Sequence, residues 1–219
     1  MSRRTRSSSR QVMGGGIVGQ EHRNGIRRPR RALIAAAVAL LLATSSCKGG
    51  GSGSDVVPCT NLSFTPAITT PAAGDVYLQK ISSTCDSIDL SVVVSNLSGL
   101  FTVSFDLAYP AALLSYQSYF QGPVMLQGSP VSTPMFIVSN PIPGTVQMTM
   151  TRLPPDGGVA VSGVGTLVTV RFAKVASGSG TVDFDSSLSS TVAETIYDSS
   201  HNLLAASFGP GHGGTVLVP

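Results

Sequence analysis

The chain has 219 residues, with 14 Lys and Arg against 11 Asp and Glu and a formal net charge of +3. That charge is local: the first 31 residues hold nine arginines and one acid, Glu21, whereas past residue 46 five bases face ten acids, a net of −5. The later part has no basic surface for a phosphate backbone, which excludes nucleic-acid binding. With tryptophan absent, and Gly, Ser, Thr and Val abundant, it has the composition of an extracytoplasmic β protein.

The basic stretch runs into Ala32 to Ala43, twelve residues without a polar side chain, followed by Thr44-Ser45-Ser46 and Cys47. A bilayer-spanning helix needs ~20 apolar residues at ~1.5 Å rise each, so twelve are too few. The order of basic, apolar and small-residue regions is that of an export signal over residues 1–46. Arg30-Arg31-Ala32-Leu33-Ile34 has the outline of a twin-arginine motif. The position of Cys47 resembles a bacterial lipobox, with Thr44 where leucine is usual. The resemblance implies a lipid on Cys47 and an anchor at the cell envelope or outer membrane. Residues 47–74 read as a tether and arm: Lys48 and a Gly/Ser run come first, then a stretch in which Pro58, Pro66 and Pro71 oppose any helix.

With Cys47 lipidated, Cys59 and Cys85 remain as a pair in an oxidising compartment. Their bridge would close a loop of about 27 residues and stabilise by about 3–4 kcal/mol on the chain-entropy model. It would pin the Pro-rich arm onto a turn at Thr84–Asp86.

From Asp75 to Pro219 the pattern is of strands between turns. Val76–Ile81 comes first. Ile88, Leu90, Val92 and Val94 then alternate with Asp89, Ser91, Val93 and Ser95, and a turn follows at Asn96–Gly99. Phe101, Val103, Phe105, Leu107 and Tyr109 alternate with Thr102, Ser104, Asp106 and Ala108, which predicts one dry face and one wet face. A turn at Pro110 leads into a strand to Tyr119. Residues 121–143 are loop-rich, with a strand near Met135–Val138. Val146, Met148, Met150 and Arg152 alternate with Gln147, Thr149 and Thr151 before the turn Pro154-Pro155-Asp156-Gly157-Gly158. Gly163–Val175 is the longest strand, and Thr181–Phe184, Val192–Tyr197, Leu203–Phe208 and Thr215–Val218 complete the set. Nine or ten such strands at regular spacing predict an all-β fold, an antiparallel β-sandwich with jelly-roll topology.

No catalytic constellation assembles. His201 and His212 have no Cys or His at metal-ligand spacing, no Gly-x-Ser-x-Gly is present, and the acids are thinly spread. No cofactor is expected beyond a candidate calcium site, for which Asp183, Asp185 and Asp198 are the available acids. Tyr116, Tyr119 and Phe120 are the candidate aromatic patch for a sugar.

Three stretches together resemble a bacterial cohesin domain, a jelly roll related to some carbohydrate-binding modules. They are Ile88–Gly99, Phe101–Ser115 and Gly163–Phe172, and the likeness spans about residues 75–218. The resemblance implies a non-catalytic module that recognises a dockerin-like protein partner through a sheet face. The family often has an Asn and an Asp on the outward face of its third strand. Those positions fall on Thr102 and Ser104, so the polar face persists without the carboxylate. Asp106 on the same strand, with Thr149 and Thr151, completes the expected contact set. In such a fold the Tyr109-Pro110 corner and Leu113–Leu114 would plug the end of the sandwich, where two sheets splay. A cellulosomal scaffold would carry several such modules, and this chain has one. Two other readings remain open: a carbohydrate-binding module for polysaccharide or envelope glycan, and a structural envelope lipoprotein.

Overall fold

The structure is a computed structural model that describes residues 58–128, 133–185 and 194–219. The export signal, Cys47 and the tether as far as residue 57 lie outside the described residues, as does the start of the strand expected from Val192.

Among the described residues there are eleven strands and one short 3-10 helix. They are β1 (Ser63–Pro66), β2 (Val76–Ser83), β3 (Ser87–Ser95), β4 (Thr102–Ala108), β5 (Leu114–Gln121), η1 (Pro123–Leu126), β6 (Met135–Ser139), β7 (Thr145–Thr151), β8 (Val164–Lys174), β9 (Gly178–Phe184), β10 (Thr195–Tyr197) and β11 (Gly214–Val218). A seven-stranded sheet has the order β1-β11-β9-β4-β7-β6, with β10 also pairing β4; a four-stranded sheet has the order β2-β3-β8-β5. The ladders between named strands are antiparallel.

Period-2 alternation explains how the two sheets join. Val103, Phe105 and Leu107 of β4 and Val168, Val170 and Phe172 of β8 are fully buried between them. Phe105 meets Phe184 edge to face at 5.5 Å, and Tyr109 packs on Phe172 at 5.0 Å. The Pro110 corner closes the adjoining end, where its carbonyl accepts the N–H groups of Leu113 and Leu114. Gly163 starts β8 at φ +73°, a left-handed conformation that favours glycine. A Cβ on Gly165 would lie 2.5 Å from Val124 Cγ2, so η1 can seat against β8 only over a glycine there.

Two segments depart from the sequence pattern. The arm expected over 47–74 includes a strand: β1 pairs β11 from Ser63↔Leu217 to Pro66↔Gly214, and Leu62 and Phe64 enter the core. Proline marks a break in a central strand, but at the end of an edge strand it removes no needed donor. Leu203–Phe208, expected as a strand, makes only isolated bridges at Leu203 and Ser207. The Ala206 N–H turns back onto the Leu204 carbonyl at 2.9 Å, and Leu203 is 65% exposed, so the segment bends along the surface.

The two seams of the sandwich close differently. At β5/β6, Tyr119 stacks on Phe136 with centroids 6.0 Å apart. At β1/β2, Cys59 and Cys85 form the expected disulfide, with Cα atoms 5.6 Å apart. Beside it the Leu62 N–H donates to the Thr84 carbonyl at 2.9 Å, and the Thr84 hydroxyl accepts from the N–H groups of Asp86 and Ser87. The Cys59→Ser/Cys85→Ser double variant should therefore lose about 3 kcal/mol of unfolding free energy. Guanidinium denaturation checks this; an unchanged midpoint would mean that the bridge pins nothing.

Candidate functional site

The outer face of the seven-stranded sheet follows from what its strands bury. With Val103, Phe105 and Leu107 inward, β4 turns Thr102, Ser104 and Asp106 outward; with Val146, Met148 and Met150 inward, β7 turns out Gln147, Thr149 and Thr151. The register sets Thr102 opposite Thr151, Ser104 opposite Thr149 and Asp106 opposite Gln147. The Thr102 and Thr151 hydroxyls share a hydrogen bond of 2.6 Å, and those of Ser104 and Thr149 one of 3.0 Å. Cross-strand pairs of this kind stiffen a sheet and fix the side-chain rotamers on its surface.

Edge strands extend this hydroxyl ladder on both sides. On β6, Met135 lies beside Thr151 and Ile137 beside Thr149, and they are 45% and 53% exposed. On β10, Thr195 lies beside Ser104 and Tyr197 beside Thr102. The result is a rectangle four strands wide that carries five hydroxyls, a phenol and two apolar side chains, and no charge.

Four of the five residues expected as contacts, Thr102, Ser104, Thr149 and Thr151, therefore share one open surface. Asp106 does not: it lies at the end of the same row but is fully enclosed, and Gln147 Nε2 donates to its Oδ2 at 3.5 Å. Period-2 alternation shows which face a side chain takes, not what covers it. Sequence reasoning missed Met135, Ile137, Thr195 and Tyr197. The signal available was exposed aliphatics on a strand that registers against Thr149 and Thr151.

Arg152 holds the corner of this face. It is 4% exposed and follows β7 directly. Its Nε donates to the Gly157 carbonyl at 2.8 Å, and its Nη1 to the carbonyls of Met125 and Gln127 at 3.0 and 2.6 Å. One guanidinium thus ties η1 and the 153–158 loop to the end of β7.

The outer face of the four-stranded sheet carries an ion pair of its own. Arg171 pairs bidentately with Asp89 at 2.7 and 2.8 Å, and its guanidinium lies 5.2 Å from the Phe120 ring centroid. The hydrogen bond from Arg171 is the main reason that the Asp89 carboxyl lies below the usual carboxylate range. The three aromatics considered for a sugar platform are separated. Tyr119 closes the β5/β6 seam, Tyr116 packs against the core, and Phe120 lies beside Arg171 on the outer face.

The remaining candidates occupy loops. Asp183 accepts the N–H groups of Phe184, Gly211 and Gly213 at 2.7–2.9 Å. Asp198 accepts those of Ser200 and Asn202, and the Asn202 amide as well. Two of the three carboxylates considered for calcium, Asp183 and Asp198, thus organise different turns. His201 stands in the second turn at φ +64°, and His212 contacts the Ser207 hydroxyl at 3.2 Å. Among the described residues no group of three or more His, Cys, Asp or Glu is arranged to hold a metal ion.

No protein-family profile matches the chain, and no curated protein sequence matches it. Solved structures do. The type II cohesin dyad from an adaptor scaffoldin of Acetivibrio cellulolyticus superposes with a TM-score of 0.50 at 11% identity, over 68% of this chain and 49% of that two-module chain. The second type II cohesin module of that scaffoldin gives 0.49 at 12% identity, over 66% of this chain and 95% of that one. The sixth cohesin of another scaffoldin of the same organism, crystallised in complex with a dockerin, gives 0.48 at 18%, over 65% and 97%. The fold is that of a cohesin domain, as the sequence resemblance implied.

Replacing Arg152 by Met would leave three backbone carbonyls without their donor at a buried position. The expected loss is about 2–4 kcal/mol. A change below about 0.5 kcal/mol in denaturant unfolding would show that the corner holds without it.

Proposed function

We propose that the domain is a non-catalytic protein-binding module that takes a dockerin-like partner on the outer face of the seven-stranded sheet. The observation that carries this reading is the uncharged rectangle of Thr102, Ser104, Thr149, Thr151, Thr195 and Tyr197, margined by Met135 and Ile137. A flat surface of paired hydroxyls with exposed aliphatics can be desolvated without stranding a charge, as a recognition surface must be. The cohesin fold supports the reading. The open face also lies away from the four-stranded sheet, whose charged pair is already satisfied internally.

The same proposal places the module outside the cytoplasm, carried by the signal of residues 1–46 and anchored by a lipid on Cys47. The Cys59–Cys85 disulfide supports an oxidising compartment. The Gly/Ser-rich stretch after Cys47 would act as a spacer that lets the face reach a partner beyond the membrane surface.

Calorimetric titration of the full chain with purified type II dockerin modules tests the partner. Binding to at least one of them is expected. Ile137→Asp and Thr149→Arg should weaken it at least about tenfold, or ~1.4 kcal/mol, with unchanged melting temperature. Phe120→Ala on the opposite sheet should leave it intact. Binding that survives both face variants would move the interface elsewhere, and binding to polysaccharide alone would replace the protein partner with a glycan. Metabolic labelling with palmitate tests the anchor: label should enter the exported chain and disappear in Cys47→Ala. Label retained in that variant would contradict the assignment.

A further inference from the structure

β4 changes partner partway along its length. Thr102, Val103 and Ser104 pair with β10, whereas Leu107 and Ala108 pair with β9. Asp106 stands between the two registers. Asp185 is the first residue past β9, and Glu194 is the last before β10. The topology therefore brings carboxylates from three separate stretches of chain to one fork in the sheet, and Asp183, opposite Ala108, adds a fourth.

The fork is partly shielded from water: Asp183, Asp185 and Glu194 are half-buried. Asp106 is fully enclosed, and its carbonyl accepts the Asp185 N–H at 3.1 Å. Among the described residues Glu194 Oε1 is buried without a hydrogen-bond partner, and Oε2 lies 4.0 Å from where a side chain on Gly209 would begin. Other groups line the fork from each neighbouring element. Gln147 of β7 is neutral and donates to Asp106. Asp183 is held by the N–H groups of Gly211 and Gly213, and His212 between them contacts Ser207. Tyr197 ends β10. Burial, then the fields of Asp106, Asp185 and Asp183, push the Glu194 carboxyl above the usual carboxylate range.

We propose that this fork is a proton-operated latch on β10. With Glu194 protonated, β10 sits on β4 and completes the Thr195/Tyr197 margin of the outer face. As Glu194 ionises, repulsion from the neighbouring carboxylates loosens β10 and that margin with it. The sign follows from linkage: a carboxyl whose folded value lies above its unfolded one contributes stability that is complete below the unfolded value. That stability is lost as pH rises through the folded value. The latch is a property of the fold and needs no bound partner.

Deuterium exchange on the full chain, at about pH 4.5 and about pH 7.5 with a chelator present, tests it once intrinsic exchange rates are removed. Protection of the β10 amides should be about tenfold higher at the acid pH, while that of the β7 amides stays level. In Glu194→Gln the β10 amides should keep their acid-level protection at both pH values. Asp185→Asn, a milder change, should raise their protection at the higher pH in the same direction. Equal wild-type protection at the two pH values would overturn the latch. So would a full pH response retained in Glu194→Gln, or, should that variant not fold, an unshifted Asp185→Asn.

Discussion

The burial of alternate residues of β4 is the constraint on which the rest of the molecule depends. Phe105 and Leu107 are fully enclosed between the sheets, and Phe105 meets Phe184 edge to face. Each fully buried side chain of that size contributes about 1.5–3 kcal/mol of transfer free energy, so the strand cannot be turned over. Because the side-chain period is two, that choice alone sends Thr102 and Ser104 to the solvent face. β7, paired with β4 along its whole length, repeats the choice with Met148 and Met150 inside and Thr149 and Thr151 outside. The hydroxyl ladder is the other side of a packing decision.

A sandwich of two twisted sheets opens at its seams, and here each seam has its own closure. One is covalent, through Cys59 and Cys85; the other is an aromatic stack of Tyr119 on Phe136. Arg152 does a related job at the corner of the large sheet, where it satisfies carbonyls that no strand reaches. These three devices hold the loops and edge strands around the β4–β7 pair. The outer surface is therefore presented by a rigid scaffold.

Much of this was legible in the sequence because it follows from short-range periodicity. The alternation over Phe101–Tyr109 and Val146–Arg152 gave the strands and their dry faces, and it put Thr102, Ser104, Thr149 and Thr151 together on one outer face. The two cysteines left once Cys47 is set aside gave the disulfide. The cohesin likeness, read from three short stretches, matches the architecture. The misses have a common cause, which is long-range context. Pro66 reads as a breaker until β11 is known to lie beside it and make β1 an edge. Leu203–Phe208 has strand composition but bends back on itself within three residues. The enclosure of Asp106 and the acid fork involve Asp106, Asp185 and Glu194, which come together only when the registers of β9 and β10 on β4 are known.

The account rests on the sorting of β4 into an inner and an outer row, and thiol accessibility tests that sorting directly. Single cysteines placed at Thr102, Val103, Ser104 and Leu107 in the otherwise unaltered chain would be labelled under native conditions and mapped by peptide mass. The account predicts rapid modification at positions 102 and 104 and protection at 103 and 107 until the domain unfolds. Uniform reactivity along the strand, or the opposite alternation, would contradict it.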